Sequence, residues 1–306
     1  MYCKICNSPC DKRHFFKEKQ FAFGDTFLYG ECGKCGALFL EEVPNDLWKF
    51  YPDTYYSYGQ TLGLKTIFIK WVLRFFLRLR CVRLVKKIVK IHHPLYSILS
   101  LGKINYDASI LDVGCWSGEL LRILNLLGYS NLVWLDPFLG KSQSLGGVSL
   151  LKKSIFELDE KNKYDLIMFH HSLEHMQDHR EVLNKVNGLL KSTWSVIIRI
   201  PIKSIFFELY QGNWIGIDAP RHMIIHSMES FKTLIEQTDF CIKKYYFDSH
   251  IAHFTVSEAY KLWIKLDDIS FISDALESRQ YQSIIDYYNT TNTMGGSIVY
   301  ILEKNI

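Results

Sequence analysis

The stretch ILDVGCWSGEL, residues 110–120, constrains the fold more than any other feature of the chain. Its apolar first half predicts a buried strand over residues 109–113, because a parallel strand covered on both faces forms a continuous apolar run. Gly114 ends this strand, and a predicted helix begins at Gly118 and ends at Leu127. A strand that enters a helix through a glycine-containing turn is typical of cofactor loops in open α/β sheets.

A second predicted strand, in LGYSNLVWLD, ends at Asp136, about twenty residues after Gly114, where an acidic side chain can bind the two hydroxyls of a ribose. A dinucleotide loop would contain G-x-G-x-x-G, with its helix facing a pyrophosphate. This chain has D-x-G-x-x-x-G instead, with Trp116 at the position of a middle glycine. The Trp116 side chain either packs away from the cofactor pocket or forms part of its wall.

This order resembles the first motif of class I S-adenosylmethionine (SAM)-dependent methyltransferases. The resemblance covers roughly residues 106–306, and four further segments carry it: YDLIMFHHSLEHMQDH at 164–179 (fourth strand and L-E-H signature), SVIIRIP at 195–201 (fifth strand), residues 218–247 (last helix and sixth strand) and GGSIVYILEK at 295–304 (antiparallel seventh strand). It implies an α/β fold with a Rossmann-like seven-stranded sheet whose last strand is antiparallel. An insertion over 250–293 would cover the acceptor pocket or form a dimer face.

The resemblance also implies a SAM site along one edge of that sheet. Its expected residues are Asp112, Gly114, Cys115, Trp116, Asp136, Phe138, Ser154, Ile155, His170 and His171. The motif-one residues would hold the amino-acid end of SAM, and Asp136 would bind the ribose hydroxyls. Phe138, Ser154 and Ile155 would lie near the adenine. The two adjacent histidines at the end of the fourth strand would lie beneath the reactive sulfonium.

Methyl transfer to a sugar hydroxyl also requires a group that removes the hydroxyl proton, and histidine suits this task near neutral pH. The candidates on the expected face are His171, His175 and His222. We place His222 of the DAPRH segment first, because the matching histidine of similar sugar C-methyltransferases acts as a base. Asp218 or Glu174 could orient it, and Arg221 could hold an acceptor anion. His175 is alternatively a structural residue of the L-E-H signature.

The chain begins with two Cys-x-x-Cys pairs, in YCKIC and ECGKC. Four thiolates at this spacing can surround Zn²⁺ tetrahedrally, and the predicted ligands are Cys3, Cys6, Cys32 and Cys35. Such a site is closed, so the zinc would be structural. Cys10 either replaces one ligand or is a spare thiol, and a reduced metal-free lobe is the alternative. Residues 1–50 are therefore predicted to form a zinc ribbon, with Phe21, Phe23, Phe27 and Tyr29 in its strands.

The charge of the chain is unevenly distributed. The formal net charge is +4, but no Asp or Glu occurs between Thr54 and Tyr106, a span that contains ten Lys or Arg residues. Residues 51–105 are predicted to form a Tyr-rich linker followed by a basic helical connector over 62–91. This helix could pack on the domain with a solvated basic face. It could instead contact an anionic membrane surface through residues 70–90, or bind RNA phosphates.

Localisation follows from the same charges. The most apolar segment, residues 67–79, contains three basic residues and is too charged to span a bilayer, and no signal peptide is visible. We therefore expect a cytoplasmic protein, with peripheral contact at the inner membrane as a further option.

The resemblance extends to bacterial methyltransferases found with polysaccharide and sugar-modification enzymes, some of which carry a cysteine-rich zinc lobe before the SAM domain.

The predicted function is SAM-dependent methylation of a sugar, as O-methylation, in polysaccharide, nucleotide-sugar or glycolipid biosynthesis. One alternative is an rRNA or tRNA methyltransferase that binds RNA through the zinc lobe and the basic helix. HHSLEHM lacks the N-P-P-[YF]-type motif of many base N-methyltransferases, which weighs against it. The other alternative is a non-enzymatic module that binds SAM and zinc. The acidic residues and glycine of the cofactor motif favour an enzyme over that module.

Overall fold

The computed structural model describes residues 1–52, 94–101, 104–114, 118–145, 147–266 and 278–305. Several sequence predictions fall outside these ranges. They are the Tyr-rich linker beyond residue 52, the basic helix over 62–91, and Cys115 and Trp116 of the cofactor loop. No helix within the described ranges is both long and apolar enough to cross a membrane.

The N-terminal lobe is a small antiparallel sheet. Its strands are β1 (Cys10–Lys17), β2 (Thr26–Cys32) and β3 (Leu38–Leu40), followed by a 3₁₀ turn at Leu47–Phe50. The cysteine pairs flank this hairpin as predicted, and Tyr29 lies within β2, fully buried. Phe21 and Phe23 lie in the loop between β1 and β2, so their placement in strands was wrong. Glu18 causes the chain to turn there, because its carboxylate accepts the backbone N–H groups of both phenylalanines.

Among the other described residues, eight strands form one mixed sheet. They are β4 (Ser109–Val113), β5 (Asn131–Leu135), β6 (Gln143–Leu145), β7 (Val148–Leu151), β8 (Tyr164–His170), β9 (Leu190–Pro201), β11 (Phe240–Phe247) and β12 (Ser297–Lys304), with β10 (Ile224–Ile225) outside this sheet. The strand order is β11-β12-β9-β8-β4-β5-β7-β6. The five central strands run parallel, and β12 pairs antiparallel with both β9 and β11.

This order confirms the predicted α/β class I methyltransferase fold with an antiparallel last strand. The short strand β6 adds an eighth strand at one edge, where the chain turns back on β7. The predicted strand over residues 109–113 and the helix ending at Leu127 have the bounds that the sequence indicated. The described helices are α1 (Pro94–Ser100), α2 (Glu119–Leu127), α3 (His179–Leu189), α4 (Ile205–Tyr210), α5 (Met228–Ile235), α6 (Ala252–Lys261) and α7 (Ser278–Thr291).

One strand pairing joins the lobe to a segment of the large domain. Strand β10 leaves the large domain and pairs with β3 of the lobe, with Ile224 opposite Phe39 and Ile225 opposite Leu38. All four of these side chains are buried. The lobe therefore contains backbone from near residue 225, so the predicted division at residue 50 does not separate two independent sheets. Helices α6 and α7 form the described part of the insertion over 250–293.

Candidate active site

One edge of the large sheet collects the predicted SAM residues. We call the carboxyl ends of β4, β5, β7 and β8 the cofactor edge. Gly114 follows β4 with a φ of +70°, and a Cβ atom there would lie 2.7 Å from the Cβ of Ser172. Ser172 is itself fixed, because its hydroxyl donates to the carbonyl of Val113 at 2.6 Å. A glycine is therefore required on both conformational and steric grounds.

Acidic side chains mark two neighbouring strands of this edge. Asp112 is fully buried on β4. Asp136 directly follows β5, and its Oδ1 accepts the backbone N–H of Phe138 at 2.8 Å. Burial raises the pKa of the Asp136 carboxyl above its ordinary value. Its position and burial match those expected of a ribose-binding acid, although the role itself stays a prediction.

The residues predicted to surround the adenine differ in exposure. The Phe138 side chain is exposed and stacks on Tyr51 of the lobe, with ring centroids 6.0 Å apart. Ser154 and Ile155 follow β7, where Ser154 caps a 3₁₀ turn. Ile155 packs into the apolar core and would present only backbone to a ligand. His170 ends β8 on the same edge, next to His171.

The three candidate histidines converge on one buried carboxylate. Glu174 lies in a 3₁₀ turn after β8 and is 1% exposed. Its Oε1 is 3.2 Å from Nδ1 of His171 and 3.9 Å from Nε2 of His222. The rings of His175 and His222 pack edge to face, with centroids 4.8 Å apart. We call Glu174, His171, His175 and His222 the histidine cluster. The sequence analysis named each of these residues but did not show that Glu174 lies at the centre.

Electrostatics within the histidine cluster favour an ionised glutamate. Burial alone would raise the pKa of Glu174, but the hydrogen bond from His171 and the nearby histidine charges lower it to about 2. For His175, burial acts in the same direction as the net pKa shift. Burial, followed by the charge of His222, lowers its pKa to about 4, so this ring is neutral near pH 7. Its Nδ1 lies 3.0 Å from the carbonyl of Arg221, which suits the structural role left open for it.

One ring nitrogen of His222, Nδ1, forms a hydrogen bond with the backbone. Its Nδ1 lies 2.9 Å from the carbonyl oxygen of Gly216, and a carbonyl can only accept, so Nδ1 carries the proton. In the neutral ring Nε2 is then the basic nitrogen. Nε2 lies 3.9 Å from Glu174 and 3.8 Å from Asp218, so both carboxylates expected to orient His222 are close to it.

The segment that carries His222 is fixed by the N-terminal lobe. We call residues 211–227 the acceptor loop. Arg221 is fully buried within it, and its guanidinium bonds Glu18 at 2.7 Å, Asp218 at 2.6 Å and the carbonyl of Phe50 at 2.8 Å. The prediction that Arg221 holds an acceptor anion was therefore wrong, because these groups enclose it. The hydroxyl of Tyr29 donates to the carbonyl of His222 at 2.8 Å.

A cavity of about 470 Å³ opens beside the histidine cluster. Its wall includes the three candidate histidines and, from the insertion, His250, His253 and Val256. Sequence reasoning missed Gln20 and Arg199, which also line it. Arg199 could have been found as a charge within the apolar strand SVIIRIP, whereas Gln20 lies in a lobe turn without any local motif.

Comparison with known proteins identifies the family of the chain. A family model described as a methyltransferase domain matches residues 88–244, just over half of the chain. The chain belongs to this family. The predicted enzyme class, a SAM-dependent methyltransferase, is confirmed. No match was found among curated proteins.

Solved methyltransferase structures are similar to this chain at low identity. A putative S-adenosylmethionine dependent methyltransferase from Listeria monocytogenes is 13% identical with a TM-score of 0.43, over 68% of this chain and 97% of that chain. The plantazolicin methyltransferase in complex with SAH is 15% identical with a TM-score of 0.43, over 72% and 84%. A cyclopropane synthase from Mycobacterium tuberculosis is 14% identical with a TM-score of 0.40, over 65% and 78%.

Four cysteines of this methyltransferase cluster at the base of the lobe. Cys3 and Cys35 have their sulfur atoms 3.5 Å apart, as do Cys6 and Cys32, and all four sulfurs lie within 4.8 Å of one another. Sulfurs around one zinc at Zn–S distances of about 2.3 Å would be separated by a similar amount, so the donor set fits the metal. Cys10 does not belong to this group.

Three residues of the histidine cluster form the other group of side chains that could hold a metal ion among the described residues. Glu174, His175 and His222 each place one ligand atom within 4.8 Å of the others. Two nitrogens and a carboxylate could bind a transition metal. The same arrangement equally suits a base beside a carboxylate, so metal dependence requires its own measurement.

Proposed function

We propose that this methyltransferase transfers the methyl group of SAM to a sugar hydroxyl, as an O-methylation in polysaccharide, nucleotide-sugar or glycolipid biosynthesis. The observation that carries the proposal is the setting of His222, whose Nδ1–H is committed to Gly216 while Nε2 remains as the basic nitrogen at a cavity. SAM supplies a methyl group already activated on a sulfonium, so the protein must orient the acceptor and remove its proton.

The residues of the cofactor edge suit SAM. Gly114 allows the turn after β4 to pack closely against Ser172, and this turn would hold the amino-acid end of the cofactor without a phosphate-binding glycine pattern. Asp136 would accept hydrogen bonds from the ribose hydroxyls, and Asp112 would support the adjoining turn. Phe138 and the Ser154 turn would lie on the adenine side, with His170 and His171 toward the sulfonium.

His222 would act as the general base. Nε2 would take the proton of the acceptor hydroxyl as the hydroxyl oxygen attacks the methyl carbon. The resulting imidazolium would lie near the carboxylates of Glu174 and Asp218, at 3.9 and 3.8 Å from Nε2, and both favour its positive charge. His171 shares Glu174 and lines the same cavity, so it is the second candidate for this role.

The cavity wall supports a hydroxyl-rich acceptor. Its wall contains polar side chains such as Gln20, Asp218 and Ser297 and apolar ones such as Pro201 and Ile215. Sugars present hydroxyl groups at their edges and C–H groups on their faces, so they match a wall of mixed character. We also propose that the four-cysteine site holds a structural zinc, which would fix both ends of the lobe hairpin.

The test uses methyl-labelled SAM and total extract of the organism that makes the protein, separated after reaction into sugar, lipid and RNA fractions. Label in the sugar or glycolipid fraction, lost with His222→Ala, supports the proposal. Label in RNA alone would contradict the sugar acceptor and favour the RNA methyltransferase. A parallel reaction after chelation and zinc repletion separates a base from a metal, since loss of activity restored only by another divalent metal would contradict the base.

Zinc has its own measurement. We expect about one zinc per chain in freshly purified protein, and a loss of that zinc in Cys32→Ser. Cys241→Ser is the matched control, because Cys241 is an exposed cysteine on β11, outside the four-sulfur group. Elemental content well below one zinc per chain in the wild type would contradict the metal assignment.

A further inference from the structure

Gln20 carries a buried side-chain amide at the wall of the acceptor cavity. It follows β1 in the lobe and is 5% exposed. Its side-chain Nε2 has no hydrogen-bond partner among the described residues, although the residue lines the cavity together with His222. A buried amide without a partner is unfavourable by itself. Its place in a ligand cavity indicates that a bound molecule supplies the missing acceptor.

The backbone around Gln20 is fixed on both sides. Glu18 bonds the buried guanidinium of Arg221, and the ammonium group of Lys19 donates to the carbonyl of Tyr260 at 3.0 Å. The carbonyl of Gln20 accepts the backbone N–H of Leu266 at 2.9 Å. These contacts attach the turn to the acceptor loop and to the insertion. A donor held in this way loses little further freedom when a ligand binds.

We propose that Gln20 is a specificity-determining residue that donates a hydrogen bond to an oxygen of the acceptor. This inference rests on the proposed function. The acceptor carries a second oxygen, in a hydroxyl, a ring ether or a carbonyl group, which reaches Gln20 while the reacting hydroxyl faces His222. The N-terminal lobe is then part of the acceptor site as well as a metal-binding support. Acceptors without this oxygen are discriminated against, because they leave the buried N–H groups without a partner.

The test compares Gln20→Met and Gln20→Glu with the wild type. Methionine keeps the length of the side chain and removes the donor, and glutamate replaces the donor with an acceptor. The control is Gln143→Met, on the exposed edge strand β6. The probe is the labelled fraction from the extract experiment, titrated at saturating SAM. We expect Gln20→Met to raise the KM for this fraction about tenfold, which one lost buried hydrogen bond can cause, with kcat within about twofold.

Two further readouts separate recognition from structure. SAM affinity by calorimetry stays at the wild-type value, and thermal stability does not fall in Gln20→Met, because no internal hydrogen bond is removed. A KM equal to that of the wild type in both variants would overturn the proposal. So would a loss of stability that accounts for the lower activity. If label appears only in RNA, the proposed function fails while the role of Gln20 is still tested, with the RNA fraction titrated in the same way.

Discussion

The cofactor edge and the acceptor loop lie side by side but are held by different means. At the cofactor edge, Asp112 and Gly114 extend directly from a strand whose backbone pairs with both neighbours. The acceptor loop has little regular structure, and contacts with the lobe position it, through Glu18, Tyr29 and the short strand β10. Its Ala219–Pro220 peptide bond is cis.

This difference separates two kinds of substitution. Changes to the lobe residues that bond the acceptor loop, Glu18 and Tyr29, should disturb the acceptor side and leave SAM binding intact, because the cofactor edge is built from its own strands. Changes at the cofactor edge should weaken SAM binding and leave the lobe folded. Substitutions on each side, at His222 and Arg221 in the acceptor loop and at Gly114 on the cofactor edge, test this separation.

The largest effect is expected from His222→Ala. Removing a general base typically lowers kcat by about 10²–10⁴-fold, while SAM affinity measured by calorimetry stays at the wild-type value. His14→Ala is the control, because His14 bonds Glu31 on the lobe and does not line the cavity. Near-normal turnover by His222→Ala would remove His222 as the base and leave His171 as the candidate to test.

Arg221→Met should produce the largest loss of stability. It leaves the buried carboxylates of Glu18 and Asp218 without their cation, and breaking one partner of a buried ion pair costs about 3–5 kcal/mol in the free energy of unfolding. Arg13→Met removes the exposed pair with Glu41 and should cost less than about 1 kcal/mol. Urea unfolding measures both. Equal losses would show that Arg221 does not fix the acceptor loop.

Gly114→Ala tests the cofactor edge. The added Cβ would be 2.7 Å from Ser172, in a backbone conformation with positive φ, so we expect strain of about 1–3 kcal/mol and roughly tenfold weaker SAM binding. Gly140→Ala provides the control, since nothing lies within 4 Å of a Cβ at that position. Unchanged SAM affinity in Gly114→Ala would place the cofactor elsewhere.

The smallest expected effect is a pH dependence of stability. It arises from His179, which belongs to neither the cofactor edge nor the acceptor loop. Burial lowers the pKa of His179 to about 4, from an ordinary value of 6.5. The unfolded chain binds a proton at this residue below about pH 6.5 and the folded protein does not until about pH 4, so stability is complete above pH 6.5 and falls toward pH 4. The expected loss is about 1 kcal/mol per pH unit. Urea unfolding at pH 7 and pH 5 should show a smaller difference in His179→Gln.

The strand and helix of the cofactor edge could be predicted because their signals are local, while the roles of its residues stay predictions. Asp112, Gly114 and the helix that ends at Leu127 belong to one continuous segment, and parallel strands place their carboxyl ends together. The cysteine pairs could also be found in the sequence, because the two cysteines of each Cys-x-x-Cys pair are close together in the chain. The three candidate histidines line one cavity, and their roles stay predictions.

The acceptor side could not be predicted in the same way. The burial of Arg221 depends on Glu18, and the role proposed for Gln20 depends on the acceptor loop, across most of the chain. Such contacts leave no periodicity or spacing in the sequence. The DAPRH segment by itself therefore suggested a ligand-binding role for Arg221. In the structure, the Arg221 guanidinium instead pairs with Glu18 of the lobe and with Asp218.

The bond between Glu18 and Arg221 joins residues 203 positions apart, and this separation has a consequence for folding. Contacts between distant residues form late, because the chain must close a long loop before they contribute. The cofactor edge can assemble from neighbouring segments, whereas the lobe can dock only after the acceptor loop has formed. We therefore expect refolding to restore SAM binding before it restores methyl transfer, with a delay that measures the docking of the lobe.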